Sequence, residues 1–358
     1  MSATSAPPTA AKASATTSAE ATAHSVPPSR RMVAVIVLIP VVAALALWAF
    51  AWPNARTAPR DLPLGVAGPA AATARIETGL KQREGAFEIH RYADEAAARA
   101  AIKDRTVYGA VVVTETGPKL LTASAASPMV AQSLQQAVTQ QATRAGVQVA
   151  TTDVVATPAN DPRGSAFGSS VLPLALAGTA SGALVALLGL RGARAVGALT
   201  GAAVLVGVAA TAIADSWLGV LTGDWWAEAG ALSLTTLAVG ATVAGLAALL
   251  GRAGIGLGAL LIVFLGNPFS GASSAPQMLP EPVGTLGQWL PPGAGASLLR
   301  SVSFFDGAAA LGPALTLTWW AALGLGAVFL GHMLKRPTKT TERATDRPAS
   351  APAPTPAR

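Results

Sequence analysis

Apolar residues fall in six blocks along the chain. The first stands alone, from Met32 to Ala51. A polar stretch, 52–168, follows it, and five more blocks crowd between Val171 and Leu334. A helix needs about 20 apolar residues to cross the hydrocarbon core of a bilayer. Inside lipid, its backbone must be satisfied by a helix or a closed barrel. The pattern predicts spans at 32–51, 169–190, 195–214, 229–250, 254–268 and 314–334. The expected fold class is a polytopic α-helical membrane protein with six transmembrane helices in a 1+5 arrangement. An α/β extracytoplasmic domain lies between helices 1 and 2. The apolar run of the first block exceeds the core of a signal peptide, so it reads as an uncleaved anchor.

The polar stretch alternates strand and helix patterns. Leu62 to Ala67 is a short strand ended by Gly68-Pro69, and Ala71 to Arg83 is helical. Phe87 to Tyr92 sets Phe87 and Ile89 against Glu88 and His90, the period of a half-buried strand. Asp94 caps a helix running to Lys103, with Glu95 in its first turn. Val107 to Thr114 reads as a buried strand. Gly117-Pro118 reads as a turn into Leu120-Leu121. Ser127-Pro128 opens a helix to Arg144, with Ser at the cap and Pro at the first helical position. Val147 to Val155 is the last strand. The expected organisation is a disordered tail (1–29), a first span (30–51), the α/β domain (52–168), a five-helix membrane domain (169–334) and a disordered basic tail (335–358). Within the membrane domain, 267–312 is a re-entrant or interfacial segment. It is broken by Pro268, Pro276, Pro280, Pro282, Pro291 and Pro292, with short helices at Val283–Leu290 and Ala294–Phe305.

Charge fixes an orientation. The chain has 25 Lys and Arg, 18 Asp and Glu, a net charge of +7 and a charged share of only 12%. Lys12, Arg30 and Arg31 precede the first span, and Arg191 and Arg194 lie between the second and third. Arg252 lies between the fourth and fifth, and Lys335, Arg336, Lys339, Arg343 and Arg347 follow the sixth. The loop with Asp215, Asp224 and Glu228 holds no Lys or Arg. The positive-inside rule then puts both termini in the cytoplasm. The basic residues sit where a membrane protein places them, so no nucleic-acid partner is expected; the lipid bilayer is.

Several kinds of chemistry are absent from the pattern. The chain has no cysteine, which excludes disulfides, thiolate metal sites and a cysteine nucleophile. It has no Walker A motif, and Gly254, Gly256 and Gly258 lack the strand a phosphate loop requires. His24, His90 and His332 are dispersed. No enzyme activity, metal or cofactor is expected. No charged residue falls in mid-span, which argues against an ion-driven pump. Gly178/Gly182, Gly197/Gly201 and Gly254/Gly258 have the spacing of close helix packing. Trp217, Trp225, Trp226 and Trp289 read as an aromatic belt. Thr200, Thr211, Thr235, Thr236 and Thr242 either line a path or bond back to their own helices.

Asn267-Pro268-Phe269-Ser270-Gly271, then Met278-Leu279-Pro280, then Gln288-Trp289-Leu290-Pro291, resemble the segment before the last span of ABC-2 type permeases. Asp94-Glu95-Ala96 leading to Gly109-Ala110-Val111-Val112-Val113 resembles the insert in the branch with a large extracytoplasmic domain after the first span. The resemblance implies a permease half that dimerises, exports its substrate and is driven by a separate P-loop ATPase. It implies an extracellular gate at Asn267, Pro268, Ser270, Gly271, Leu279, Pro280, Trp289 and Pro291. It also implies a bacterial plasma-membrane location, and Arg191, Arg194 and Arg252 become candidate cytoplasmic contacts. The uncharged spans suit an amphiphilic or lipid-linked cargo. Two departures stand out. The loop between the second and third spans is barely Arg191-Gly192-Ala193-Arg194, with no room for the coupling helix that docks an ATPase. Residues 1–29 carry no amphipathic helix either. The alternative is a non-transporting membrane anchor whose extracytoplasmic domain binds an envelope partner.

Overall fold

The computed structural model describes residues 28–334 except Thr116. The tails expected at 1–29 and 335–358 lie outside the described residues, apart from Pro28 and Ser29. The chain divides into two compact units, Met1–Ala46 and Leu47–Arg358. Helix α1 (Pro28–Ala55) begins in the first and ends in the second. In its last turns Trp48 and Trp52 stack, with ring centroids 5.3 Å apart and planes 8° from parallel.

The polar stretch folds into a five-stranded sheet. The elements are β1 (Leu62–Ala67), α2 (Ala70–Lys81), β2 (Phe87–Tyr92), α3 (Glu95–Lys103), β3 (Gly109–Thr114), β4 (Gly117–Thr122), α4 (Pro128–Ala145) and β5 (Ala150–Asp153). The strand order is β2-β1-β3-β4-β5. β1 runs parallel to β2 and β3, β3 and β4 form an antiparallel hairpin, and β5 is parallel to β4. The caps fall at the expected residues. The Asp94 carboxylate accepts the Ala97 N–H at 2.8 Å, and the Ser127 hydroxyl accepts the Val130 N–H at 3.2 Å. One turn moves. Gly117-Pro118 belongs to β4, with Pro118 opposite Val113. Strand β5 pairs with β4 only from Lys119 onward, so Pro118, which has no N–H, occupies a stretch with one neighbour only.

Alternation along the strands gives the sheet two greasy faces. Ala98 and Ile102 of α3 cover Ala110, Val112 and Leu121 on one face. Val130 and Leu134 of α4 cover Leu64, Val111 and Leu120 on the other. At the sheet's edge, Glu77 accepts two hydrogen bonds from Arg91, one of them 2.6 Å from Nε. Glu95 accepts from Arg99 at 2.8 Å and from Lys119 at 2.7 Å.

The second half is helical: α5 (Ser165–Leu187), α6 (Ala193–Thr211), α7 (Trp225–Leu250), α8 (Arg252–Ala259), α9 (Val283–Trp289), α10 (Pro291–Phe304) and α11 (Leu311–Leu334). Among the described residues, five helices are long and apolar enough to cross a membrane: Val35–Ala55, Ser165–Leu187, Ala193–Trp217, Trp225–Leu250 and Leu311–Leu334. The span expected at 254–268 differs. It is the 8-residue α8 continued by a 7-residue π-helical stretch, Leu260–Gly266. At about 1.5 Å per residue this piece is too short for a hydrocarbon core of about 30 Å.

Helix α7 is the axis of the bundle. It is apolar all round and built of small residues, the signature of a helix buried on every side. Val239, Ala238 and Ala241 are fully buried. Its neighbours approach through glycine. A Cβ on Gly182 of α5 would lie 2.4 Å from the Gly240 carbonyl, and one on Gly324 of α11 would lie 2.3 Å from the Ala241 backbone. A Cβ on Gly207 of α6 would strike the Ser233 hydroxyl. Of the three spaced glycine pairs, Gly178/Gly182 and Gly254/Gly258 make such contacts, whereas Gly197/Gly201 meet nothing within 4 Å. Thr211, Thr235, Thr236 and Thr242 donate to carbonyls four residues back in their own helices.

Candidate functional site

The segment 267–304 folds back on itself between the sheet domain and the bundle. After the π-helical stretch, Asn267 closes the helix, and its carbonyl accepts both the Ser270 N–H and the Ser270 hydroxyl. Gly271 takes a φ of 64°, a left-handed turn that glycine alone adopts freely. Short helices α9 and α10 follow, meeting at Leu290-Pro291. The two limbs pack backbone against backbone. A Cβ on Gly284 would lie 2.1 Å from the Pro276 carbonyl, one on Gly293 2.1 Å from the Gly287 carbonyl, and one on Gly287 would strike the Phe269 carbonyl.

Several polar groups in this hairpin bond one another or the backbone. Gln288 donates to the Ser270 carbonyl at 2.9 Å and accepts from the Ser297 hydroxyl at 2.6 Å. Trp320 of α11 donates its indole N–H to the Trp289 carbonyl at 2.7 Å. Of the eight expected gate residues, Ser270, Gly271, Leu279, Pro280 and Pro291 are buried, Asn267 and Pro268 half-buried, and Trp289 exposed. They form one continuous hairpin, not a ring around an opening. Leu279 packs with Phe269 and Val283, against which Trp52 of α1 also rests. Behind the hairpin, α5, α7 and α10 meet around a pocket of ≈20 Å³ lined by Val171, Thr235 and Gly295. That is space for a water molecule at most. The bundle is closed at this junction.

A buried arginine and a half-buried one tie the hairpin to its surroundings. Arg300 of α10 is 4% exposed; it donates to the Ala272 carbonyl at 2.8 Å and lies 4.7 Å over the Phe167 ring. Arg105, between α3 and β3, holds a φ of 60°, a strained value for a bulky residue. From there it donates to the Ser297 carbonyl at 2.9 Å and to the Ser301 hydroxyl, and sits 5.3 Å from the Phe305 ring. Burial pushes the Arg105 guanidinium below its usual range. Neither arginine forms a salt bridge among the described residues. Tyr108 adds a bond to Gln277 at 2.8 Å, and burial raises its phenol. The segment after α1 joins in, with Ala58 N–H donating to Met278 and Arg60 N–H to Gln277. The sheet domain and the hairpin are thus bonded together at several points.

Glu228, expected in a loop, sits in the first turn of α7 and is fully buried. Its Oε1 accepts the Gly223 N–H at 2.9 Å, and the carboxyl interacts with the Ser303 hydroxyl. Sequence reasoning missed Glu228, Arg300, Arg105 and Gln288, because their partners are distant in the chain or bonded through backbone atoms. The polar-to-apolar contrast of Arg300 within an apolar stripe was the available signal.

At the opposite end of the bundle, α5, α7, α8 and α11 surround a cavity of ≈290 Å³ lined by Val185, Ala244, Val328, Arg191, Arg252 and His332. Two of the three expected cytoplasmic contacts, Arg191 and Arg252, therefore share one concavity. Arg194 is exposed near it but not part of its wall. Trp217, Trp226 and Trp289 are 78%, 73% and 65% exposed at the domain-side end, while Trp225 is half-buried and bonds the Ser216 hydroxyl.

Residues 30–191 match the family described as ABC-2 family transporter protein. No curated protein and no solved structure matches the chain.

Proposed function

We propose, from the match of residues 30–191 to the family described as ABC-2 family transporter protein, that this chain is the permease half of an exporter for an amphiphilic or lipid-linked substrate. It is a multi-pass membrane protein. The proposal adds six membrane segments in a 1+5 arrangement, with 252–266 as the short one, both termini in the cytoplasm of a bacterial cell, and the sheet domain outside. Two copies pair, and a separate P-loop ATPase supplies the energy. Asn267, Pro268, Ser270, Gly271, Leu279, Pro280, Trp289 and Pro291 act as the extracellular gate, and Arg191, Arg194 and Arg252 as the cytoplasmic contact.

The observation that carries this reading is the closed junction of α5, α7 and α10 behind the hairpin. A gate must close, and this one is held by bonds from two sides, Gln288 to Ser270 within it and Arg105 from the sheet domain. If the sheet domain tilts, the hairpin follows. The cavity holding Arg191 and Arg252 at the other end supplies an anion-binding concavity where a partner's acidic side chains dock.

A second reading has its own observation. The link between α5 and α6 is only 188–192, too short for a coupling helix. In this reading the chain transports nothing and its sheet domain is an envelope-binding module. Cross-linking in native membranes, gentle purification and mass spectrometry separate the two. Near-equal recovery of a P-loop ATPase supports the exporter. Recovery of envelope proteins alone, under every nucleotide condition, supports the binding module.

A further inference from the structure

The sheet domain leaves a cleft open on one of its two faces. Helices α2 and α4 lie on that face without closing over the strands between them, and a cavity of ≈310 Å³ remains. Leu64 and Val111 form its floor, Leu80 and Val138 its walls, and Phe87 and Val149 its ends. The volume is at the small end of the roughly 300–1,000 Å³ typical of ligand sites, and the apolar lining with few polar groups is what such sites show.

Two features say what fills it. Charge is the first. Arg83, just past α2, is the only charged residue of the lining, with Gln141 of α4 the other polar one; no carboxylate is present. No hydrogen bond or ion pair of the Arg83 guanidinium occurs among the described residues. The second is Gly79. It stands inside α2, where glycine weakens a helix. Its backbone is ordinary helix, and a Cβ there would meet nothing within 4 Å. Neither conformation nor packing requires this glycine, and any larger side chain would project into the cleft.

We propose that this cleft is a binding site for one acyl chain of an anionic amphiphile, with the head group at Arg83 and Gln141 and the chain along Leu64 and Val111. A cleft of this size takes part of one acyl chain and not a whole lipid. The site deepens the export reading by giving the cargo's tail a place outside the bundle, and its function as a cargo site rests on that reading. The binding itself does not.

The test uses the full chain in nanodiscs and diazirine-bearing fatty acids of six to fourteen carbons, with the labelled peptides mapped by mass spectrometry. Label is expected on the segments 80–87 and 138–149. Each added methylene tightens binding about fourfold until the cleft is filled, then no further. Gly79→Leu should lower labelling tenfold or more while melting no lower than the parent, since it adds helix propensity and its Cβ meets nothing within 4 Å. Arg83→Gln should erase the preference for the acid over the matching alcohol. Label confined to the membrane helices, or unchanged labelling in Gly79→Leu, overturns the site. Equal capture of acid and alcohol by the parent overturns the anionic head group. Displacement of the label by a co-purified protein but not by excess fatty acid overturns the acyl occupant. If Gly79→Leu abolishes labelling but ATP-dependent export never appears in the parent, the cleft stands and the exporter falls. If export persists unchanged in Gly79→Leu, the cleft is no cargo site.

Discussion

The bundle around α7 and the sheet domain bury their apolar surface in opposite ways. In the bundle, small residues let backbones touch. Gly182, Gly207 and Gly324 each bring a neighbour within a distance no Cβ survives. In the domain, large aliphatic side chains such as Leu64, Ile102, Leu120 and Leu121 fill the space between sheet and helices, and one face still keeps a cleft. Lipid tails are as apolar as leucine, so helices gain little by hiding large side chains and much by close van der Waals contact. Water supplies the drive in the domain, and area buried is what counts there. At these contacts with α7 the bundle has no slack to absorb added atoms, whereas the α2–α4 face of the domain does.

The comparison breaks most sharply at Gly324. Gly324→Leu should cost about 3 kcal/mol or more, enough to lose the folded protein from detergent extracts, because the new atoms meet the Ala241 backbone. Gly201→Ala, at a bundle glycine of the Gly197/Gly201 pair with nothing within 4 Å, should instead stabilise by about 0.5–1 kcal/mol. Equal losses for both would refute the division. Next in size is a deletion in the domain. Leu120→Ala should cost about 3 kcal/mol through transfer and cavity terms, read as a lower melting temperature of the full chain. Ser127→Ala removes the α4 cap and should cost about 1 kcal/mol, with Ser127→Asp retaining most of it.

Acid should weaken the domain. Hydrogen bonds from Lys119 and then Arg99 hold the Glu95 carboxyl below its ordinary range, and those from Arg91 do the same for Glu77. A carboxylate whose pKa is depressed by folding stabilises above its unfolded value and loses that contribution as pH falls through the folded one. The melting temperature should therefore drop from roughly pH 4.5 downward. Glu95→Gln together with Glu77→Gln should flatten that drop; an unchanged acid limb in the double variant would assign it to other groups.

The same contrast explains what the chain's pattern disclosed. Caps at Asp94 and Ser127 were legible because a side chain bonds a backbone N–H three residues away, a purely local event. The long helices were legible because lipid imposes length and apolarity on one segment at a time. The hairpin was legible as an irregular, proline-broken piece, but its glue was not. Arg105 reaches Ser297, 192 residues away, and no local pattern encodes that. Gly117-Pro118 misled for the same reason, since the missing neighbour of β4 that tolerates Pro118 is set by where β5 begins. Glu228 misled by one turn, because the helix starts four residues earlier than its hydrophobic run.

The central position of α7 also sets an order of assembly during synthesis. Its glycine and alanine surface is matched by α5 and α6, which precede it in the chain, and by α11, which follows it. Until α11 leaves the ribosome, one side of α7 borders lipid or an insertase, and the seat for Gly324 on Ala241 stays empty. A chain truncated before Leu311 therefore presents an unmatched groove of small residues to the membrane's quality-control proteases, and it should turn over faster than the full protein.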